Sequence, residues 1–142
     1  MANEMPPSDE YTGLSRTVLR YSESFARVIA KVKDGTLSDS DWQTFETLVD
    51  PATFERIGVF LGAKAEVIDW TKYKEYIASY GGATDWEGTL RHITEVPGRV
   101  FLELEERNTR NGETDTSNTV TIYDFDDAGR IRHLDVYVMP LR

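Results

Sequence analysis

The sequence predicts an α+β domain in which three N-terminal helices pack on a curved, cone-like antiparallel β-sheet that encloses a pocket. Three observations carry this prediction. Apolar residues recur at helical spacing through the first half of the chain, alternating β-branched and aromatic residues fill the second half, and Asp126-Asp127-Ala128-Gly129 splits the final run into two long strands. Helices first and strands after is the order of an α+β fold, not of an alternating parallel one. Two strands cannot bury a face alone, so the helices must cover one side of the sheet. A long sheet bent around helices leaves a conical cavity of the kind that holds small apolar ligands.

Each element follows from its own residues. Residues 1 to 12, with Pro6 and Pro7 among polar neighbours, are expected to be a disordered lead-in, and residues 13 to 142 a single domain. From Gly13 to Lys33, Leu14, Val18, Tyr21, Phe25, Val28, Ile29 and Val32 recur at three, four and seven, with Thr12 or Ser15 as cap and Gly35 as the left-handed stop. Ser38 or Ser40 caps a second helix carrying Trp42, Phe45 and Leu48, closed by Asp50-Pro51. Residues 52 to 60 read as a short extended piece, and Gly62 as a turn. A third, aromatic helix is expected from Lys64 to Tyr80, ended by Gly81-Gly82. Strands follow at 85 to 95 and 99 to 108 around Pro97-Gly98. A polar loop, Thr109 to Ser117, then leads into the final hairpin, whose Gly129 supplies the turn.

Composition removes several function classes. With 25 acidic against 16 basic residues and a net charge of −9, the chain does not suit a nucleic-acid partner, which needs clustered Lys and Arg. No cysteine and only two histidines, His92 and His133, leave no thiol nucleophile, no disulfide and no histidine-rich metal centre, so neither a metal nor another cofactor is expected. The opening MANEMPPSDEY lacks the basic and apolar character of a signal peptide, and no run approaches the about 18 apolar residues of a membrane span. A cytoplasmic location is expected.

Arg20-Tyr21, LVDPATFERIG at 48 to 58, the helix from Gly62 to Tyr76 and above all TIYDFDDAGRIRHLDVYV at 121 to 138 carry a resemblance. Over residues 15 to 140 the chain resembles the nuclear-transport-factor-like superfold, which includes ketosteroid isomerases, limonene epoxide hydrolase and the SnoaL-like polyketide cyclases. The resemblance implies a pocket between helices and sheet, and a homodimer formed through the outer sheet face. Set against the isomerases, it puts Arg56 where their general-base carboxylate stands and Thr121 where their oxyanion-binding aspartate stands. The isomerases' first-helix tyrosine is matched by Tyr21 or by Val28. Against the epoxide hydrolases, the two aspartate positions fall at Val136 and near Thr109. Neither ketosteroid isomerisation nor limonene-oxide hydrolysis is therefore implied.

The remaining polar groups decide what chemistry is open. In VFLELEERN, Val100, Leu102, Leu104, Glu106 and Asn108 share one face. Three apolar residues turn that face inward and bring Glu106 and Asn108 to the pocket wall. Glu106 then serves as an acid or base, or forms a structural ion pair with Arg56. His92 is either a catalytic imidazole or a hydrogen-bonded histidine of the wall. In the last strand the resemblance aims Leu134 and Val136 at the cavity. His133, Asp135 and Tyr137 then share the other face, as an acid–base pair or as part of a solvated or dimerising surface. Among the aromatics, Tyr21, Trp70, Tyr73 and Tyr123 are expected to line the cavity, where the tyrosine hydroxyls need partners.

These readings converge on a cofactor-free enzyme of the SnoaL-like group that closes a ring in a polyketide or similar natural product. Glu106, Tyr21 and His92 are the catalytic candidates. Arg56, Trp70, Tyr73, Leu104, Asn108, Thr121, Tyr123, Leu134 and Val136 are the substrate-binding ones. Ring closure proceeds either by acid–base chemistry or by folding a polyene into a reactive shape. The alternative is a non-catalytic member of the same superfold that binds a small ligand or a protein.

Overall fold

The computed structural model describes residues 4–59 and 64–141. Helices α1 (Gly13–Asp34), α2 (Asp39–Glu46) and α3 (Trp70–Ala83) cover one face of a six-stranded sheet. Its strands are β1 (Glu55–Gly58), β2 (Glu66–Ile68), β3 (Asp85–Val96), β4 (Arg99–Arg110), β5 (Glu113–Phe125) and β6 (Ile131–Pro140), in the order β2-β1-β6-β5-β4-β3. Every pair is antiparallel except β1 with β6, which is parallel in the register Arg56 opposite Leu134. The apolar stripe of α1 and the inner residues of β4 to β6 form one core, in which Val18, Val28, Phe45, Ile77, Val100 and Ile131 are fully buried. Among the described residues, no helix is long and apolar enough to cross a membrane.

Helix α1 keeps its expected span. It stops at Gly35, whose φ of 72° lets its N–H reach back to the Lys31 and Val32 carbonyls. Its start is not closed by a Thr12 or Ser15 side chain. Instead Glu95 of β3 reaches across and accepts from the Ser15 N–H at 2.8 Å and the Ser15 hydroxyl at 2.7 Å. These bonds hold the carboxyl below its usual pKa and place a negative charge at the positive end of the helix. Ser38 opens α2 as expected, its N–H donating to Asp41 at 3.0 Å.

Four expectations are corrected. Residues 4–12 are docked rather than disordered: the Glu4 N–H donates to the Gly88 carbonyl, and Ser8 donates to Glu23 from both its N–H and its hydroxyl. Lys64 to Asp69 is not helical. Val67 and Ile68 are β-branched and pair with Ile57 and Arg56 as strand β2, and α3 begins only at Trp70, where Asp69 accepts from the Lys72 N–H at 2.8 Å. Nor does α3 end at Gly81-Gly82. Gly81 lies inside it because a Cβ there would come within 3.2 Å of the Ile29 Cα, so glycine lets α3 approach α1. The loop expected at Thr109 to Ser117 is instead a tight turn at Asn111-Gly112 between β4 and β5. Both turn residues have positive φ, 52° and 80°, as a two-residue hairpin requires. The turn expected at Gly62 lies outside the described residues.

Candidate functional site

Period-2 alternation on three long strands builds one wall of a cavity. The inner face of β4 presents Leu102, Leu104, Glu106 and Asn108, that of β5 presents Ser117, Thr119, Thr121 and Tyr123, and that of β6 presents Leu134, Val136 and Val138. Helices α1 and α3 close the other side with Tyr21, Phe25, Tyr73 and Tyr80, while Arg56 of β1 and Trp86 of β3 complete the ring. The cavity volume is about 230 Å³ and the lining is mainly apolar. Pockets of roughly 300–1,000 Å³ are usual for drug-sized ligands, so a slim molecule suits this one.

At the deep end the hydroxyls of α1 and α3 meet. Tyr21 donates to Tyr73 across 2.6 Å, and both side chains are buried. The Tyr21 ring also stands edge-on to Phe45 and Tyr123, with centroids 4.9 and 5.6 Å away. Burial, reinforced by the neighbouring Tyr73 and Tyr123, raises the Tyr21 pKa well above its ordinary value. Burial likewise raises Tyr73, although Arg56 and the hydrogen bond from Tyr21 pull the other way. Both phenols are therefore protonated at neutral pH and act as hydrogen-bond donors. The Arg56 guanidinium, itself only 5% exposed, stands over the Tyr73 ring at 5.4 Å and donates to the Val59 carbonyl at 3.2 Å.

Toward the mouth, Glu106 accepts from the Trp86 indole N–H at 2.7 Å. That contact links β4 to β3, where Trp86 pairs with Asn108 and Gly88 with Glu106. Gly88 matters here because a Cβ would fall 2.9 Å from the Trp86 ring, so glycine leaves the indole its place beside the carboxylate. Glu106 and Arg56 thus line the same cavity, one anchored by an indole and the other by a backbone carbonyl and an aromatic face. Among the described residues, no group of three or more His, Cys, Asp or Glu side chains converges to hold a metal ion.

Most of the expected lining residues meet in this cavity: Tyr21, Arg56, Tyr73, Leu104, Glu106, Asn108, Thr121, Tyr123, Leu134 and Val136. Two do not. His92 is exposed, because the register shift between Leu90 and His92 breaks the alternation that would have turned it inward. Trp70 is 3% exposed but sits behind the wall, edge-on to Phe45, Phe54 and Tyr73 at 5.2, 5.1 and 5.9 Å. His133, Asp135 and Tyr137 lie on the outer face, where the His133 ring bonds Asp135 at 2.9 Å and Glu55 at 3.2 Å. Thr119 and Val138, two residues from Thr121 and Val136, and Ser117, two further along from Thr119, were legible in the alternation of the sequence. Trp86 was not, since its place depends on the β3–β4 register.

No protein-family description matches the chain, and no curated protein sequence does. Solved structures do match. An NTF2-like protein of unknown function from Burkholderia pseudomallei superposes with a TM-score of 0.67 over 89% of this chain and 91% of its own, at 14% identity. The chain has the NTF2-like fold. A second neighbour is the Δ5-3-ketosteroid isomerase of a Mycobacterium species, with TM-score 0.60, 20% identity and coverage of 88% and 98%. A third is an epoxide hydrolase of M. tuberculosis, of the limonene-epoxide-hydrolase-like kind, with TM-score 0.53, 14% identity and coverage of 82% and 83%. Such identities establish the NTF2-like architecture and leave the chemistry to the residues of the cavity.

Proposed function

We propose that this protein is a cofactor-free cyclase that closes a ring in a mostly apolar natural-product intermediate of the polyketide type. One observation carries the reading: an apolar cavity ends in the hydrogen-bonded Tyr21–Tyr73 hydroxyls of its helix side and carries Glu106 on its sheet wall. A ligand carbonyl at the deep end accepts a hydrogen bond from the Tyr73 O–H, which is polarised by the bond its oxygen accepts from Tyr21, and this donor stabilises the charge that develops on the carbonyl oxygen. Glu106 removes a proton from the carbon beside that carbonyl. The resulting enolate carbon bonds to a second carbonyl carbon of the same chain, closing the ring, and that oxygen takes the proton back from Glu106. Nothing is gained or lost, so substrate and product have equal mass. Arg56 supports the donor pair through its position against Tyr73.

The outer sheet face supports a homodimer. Val67, Tyr137 and Met139 stand out from it, 64%, 59% and 59% exposed, and apolar area of this kind is what a second copy buries. A cytoplasmic setting accords with a cysteine-free chain that needs no oxidising compartment.

A second reading, a non-catalytic member that only binds its ligand, draws on the Trp86–Glu106 bond, which gives the carboxylate a structural task. Native mass spectrometry separates the two. The purified protein is incubated with an extract of polyketide and terpenoid intermediates, and the retained molecules are analysed. Release of a retained molecule with a new ring at unchanged mass supports the cyclase, whereas release of the same molecule unaltered supports the binding protein. Retention of nothing removes both.

A further inference from the structure

The β5 residues that line the cavity are all hydroxyl-bearing: Ser117, Thr119, Thr121 and Tyr123. The strands on either side are apolar where they face the cavity's middle, with Leu102 and Leu104 on β4 and Val136 and Val138 on β6. A polar stripe therefore runs along the slot between two greasy ones. Two cavity-lining residues of β4 and β5 each carry a buried polar atom without a hydrogen-bond partner among the described residues. Thr119 is 4% exposed and its Oγ1 is buried and unbonded, and the Asn108 side-chain oxygen is in the same condition. Valine would fill the Thr119 position with the same shape, suit a strand better and carry no stranded hydroxyl, so core packing does not account for the threonine.

The spacing of the two groups describes the ligand. Thr119 pairs with Leu104, and Asn108 lies four residues further along β4. At about 3.3 Å per residue the two are about 13 Å apart along the slot. The Asn108 oxygen accepts only, so it asks for a donor, and the Thr119 hydroxyl takes either role. We propose that the cavity takes an elongated, slim ligand oxygenated at two or more points along one edge, laid along β5 with Thr119 and Asn108 as its polar contacts. A hydroxylated chain meets this description and an unsubstituted terpene hydrocarbon does not. The inference rests on reading the cavity as a ligand site, not on its closing a ring.

The probes are 1,10-decanediol, 1-decanol and 1,10-dimethoxydecane, followed by titration calorimetry and by the fluorescence of Trp86 in the wall. The diol is expected to bind about three- to tenfold more tightly than 1-decanol, the usual worth of one added hydrogen bond. The dimethoxy compound, which cannot donate, is expected to lose that advantage. In Thr119→Val and Asn108→Leu proteins the diol should fall to the affinity that 1-decanol has for the parent. Thr119→Ser should keep the preference, and Thr119→Val should unfold at the parent's temperature or above. Equal affinities for diol and 1-decanol, absence of binding by all three, or a Thr119→Val protein that melts well below the parent would each overturn the proposal. Diol preference without any ring-closed product leaves it standing and removes the cyclase. Ring closure without diol preference does the reverse.

Discussion

The Tyr21 hydroxyl donates to the Tyr73 hydroxyl across 2.6 Å at the deep end of the cavity, tying α1 to α3 through two buried phenols. The bond is asymmetric, and so are its consequences. Tyr73→Phe leaves the Tyr21 donor buried and unsatisfied, at a cost of about 1–3 kcal/mol, whereas Tyr21→Phe removes the donor itself and costs about 1 kcal/mol. Urea titration of both variants checks the order. The same burial sets an alkaline limit. Because the folded Tyr21 pKa lies above its ordinary value of 10.0, its contribution is complete below that pH. Stability then falls as pH rises past that value, where the unfolded phenol ionises first. Tyr21→Phe should flatten this fall, read as melting temperature against pH.

Glu106 and the Trp86 indole are bonded at 2.7 Å, and an amide can still accept from that N–H. Glu106→Gln is therefore expected to fold and to melt close to the parent. As the proton-transfer group of the proposed ring closure, Glu106 should carry at least a hundredfold of the rate, roughly the usual size of general acid–base contributions. Turnover measured on any substrate found by the extract screen decides this. Near-full activity in Glu106→Gln would reassign the carboxylate to holding the wall and leave ring closure to substrate folding.

On the outer face His133 is held between two carboxylates, Asp135 on its own strand and Glu55 on β1. Asp124 lies opposite on β5 and is itself bonded by Arg99 of β4. Partial burial alone would lower the His133 pKa, but the hydrogen bonds and charges of Asp135 and Glu55 outweigh it and raise the value above 6.5. The stabilisation is thus complete below the unfolded value and is lost as pH rises through the folded one. A His133→Gln protein should trail the parent in melting temperature more at pH 6 than at pH 9. A gap independent of pH would refute the linkage.

Gly58 of β1 passes so close to β6 that an added Cβ would lie 2.9 Å from the Val136 Cβ and 3.0 Å from the Val136 carbonyl oxygen. Gly58→Ala must push the pocket wall at Val136, and overpacking of this kind costs about 1–3 kcal/mol. Denaturant unfolding gives the stability loss, and weaker binding of any cavity ligand should accompany it.

Local sequence determined whatever depends on period alone. Alternation over β4, with three apolar residues on one side, assigns an inner face to Leu104, Glu106 and Asn108 without knowledge of their neighbours, whereas Thr121, Leu134 and Val136 were turned to the cavity by the resemblance. The 3.6-residue repeat of α1 assigns Tyr21 inward by period alone. Asn111-Gly112 was also legible, since that dipeptide is the residue choice of a two-residue hairpin turn. Tertiary structure decided what period cannot. Val67-Ile68 fits a helix or a strand, and only pairing with β1 made it a strand. One register shift turned His92 out to solvent, and packing against Phe45 and Phe54 kept Trp70 behind the wall. The meeting of Tyr21 with Tyr73, and of Trp86 with Glu106, joins residues 52 and 20 positions apart. Periodicity says which way a side chain points, but what it meets there is fixed by register, bulges and the distance between layers.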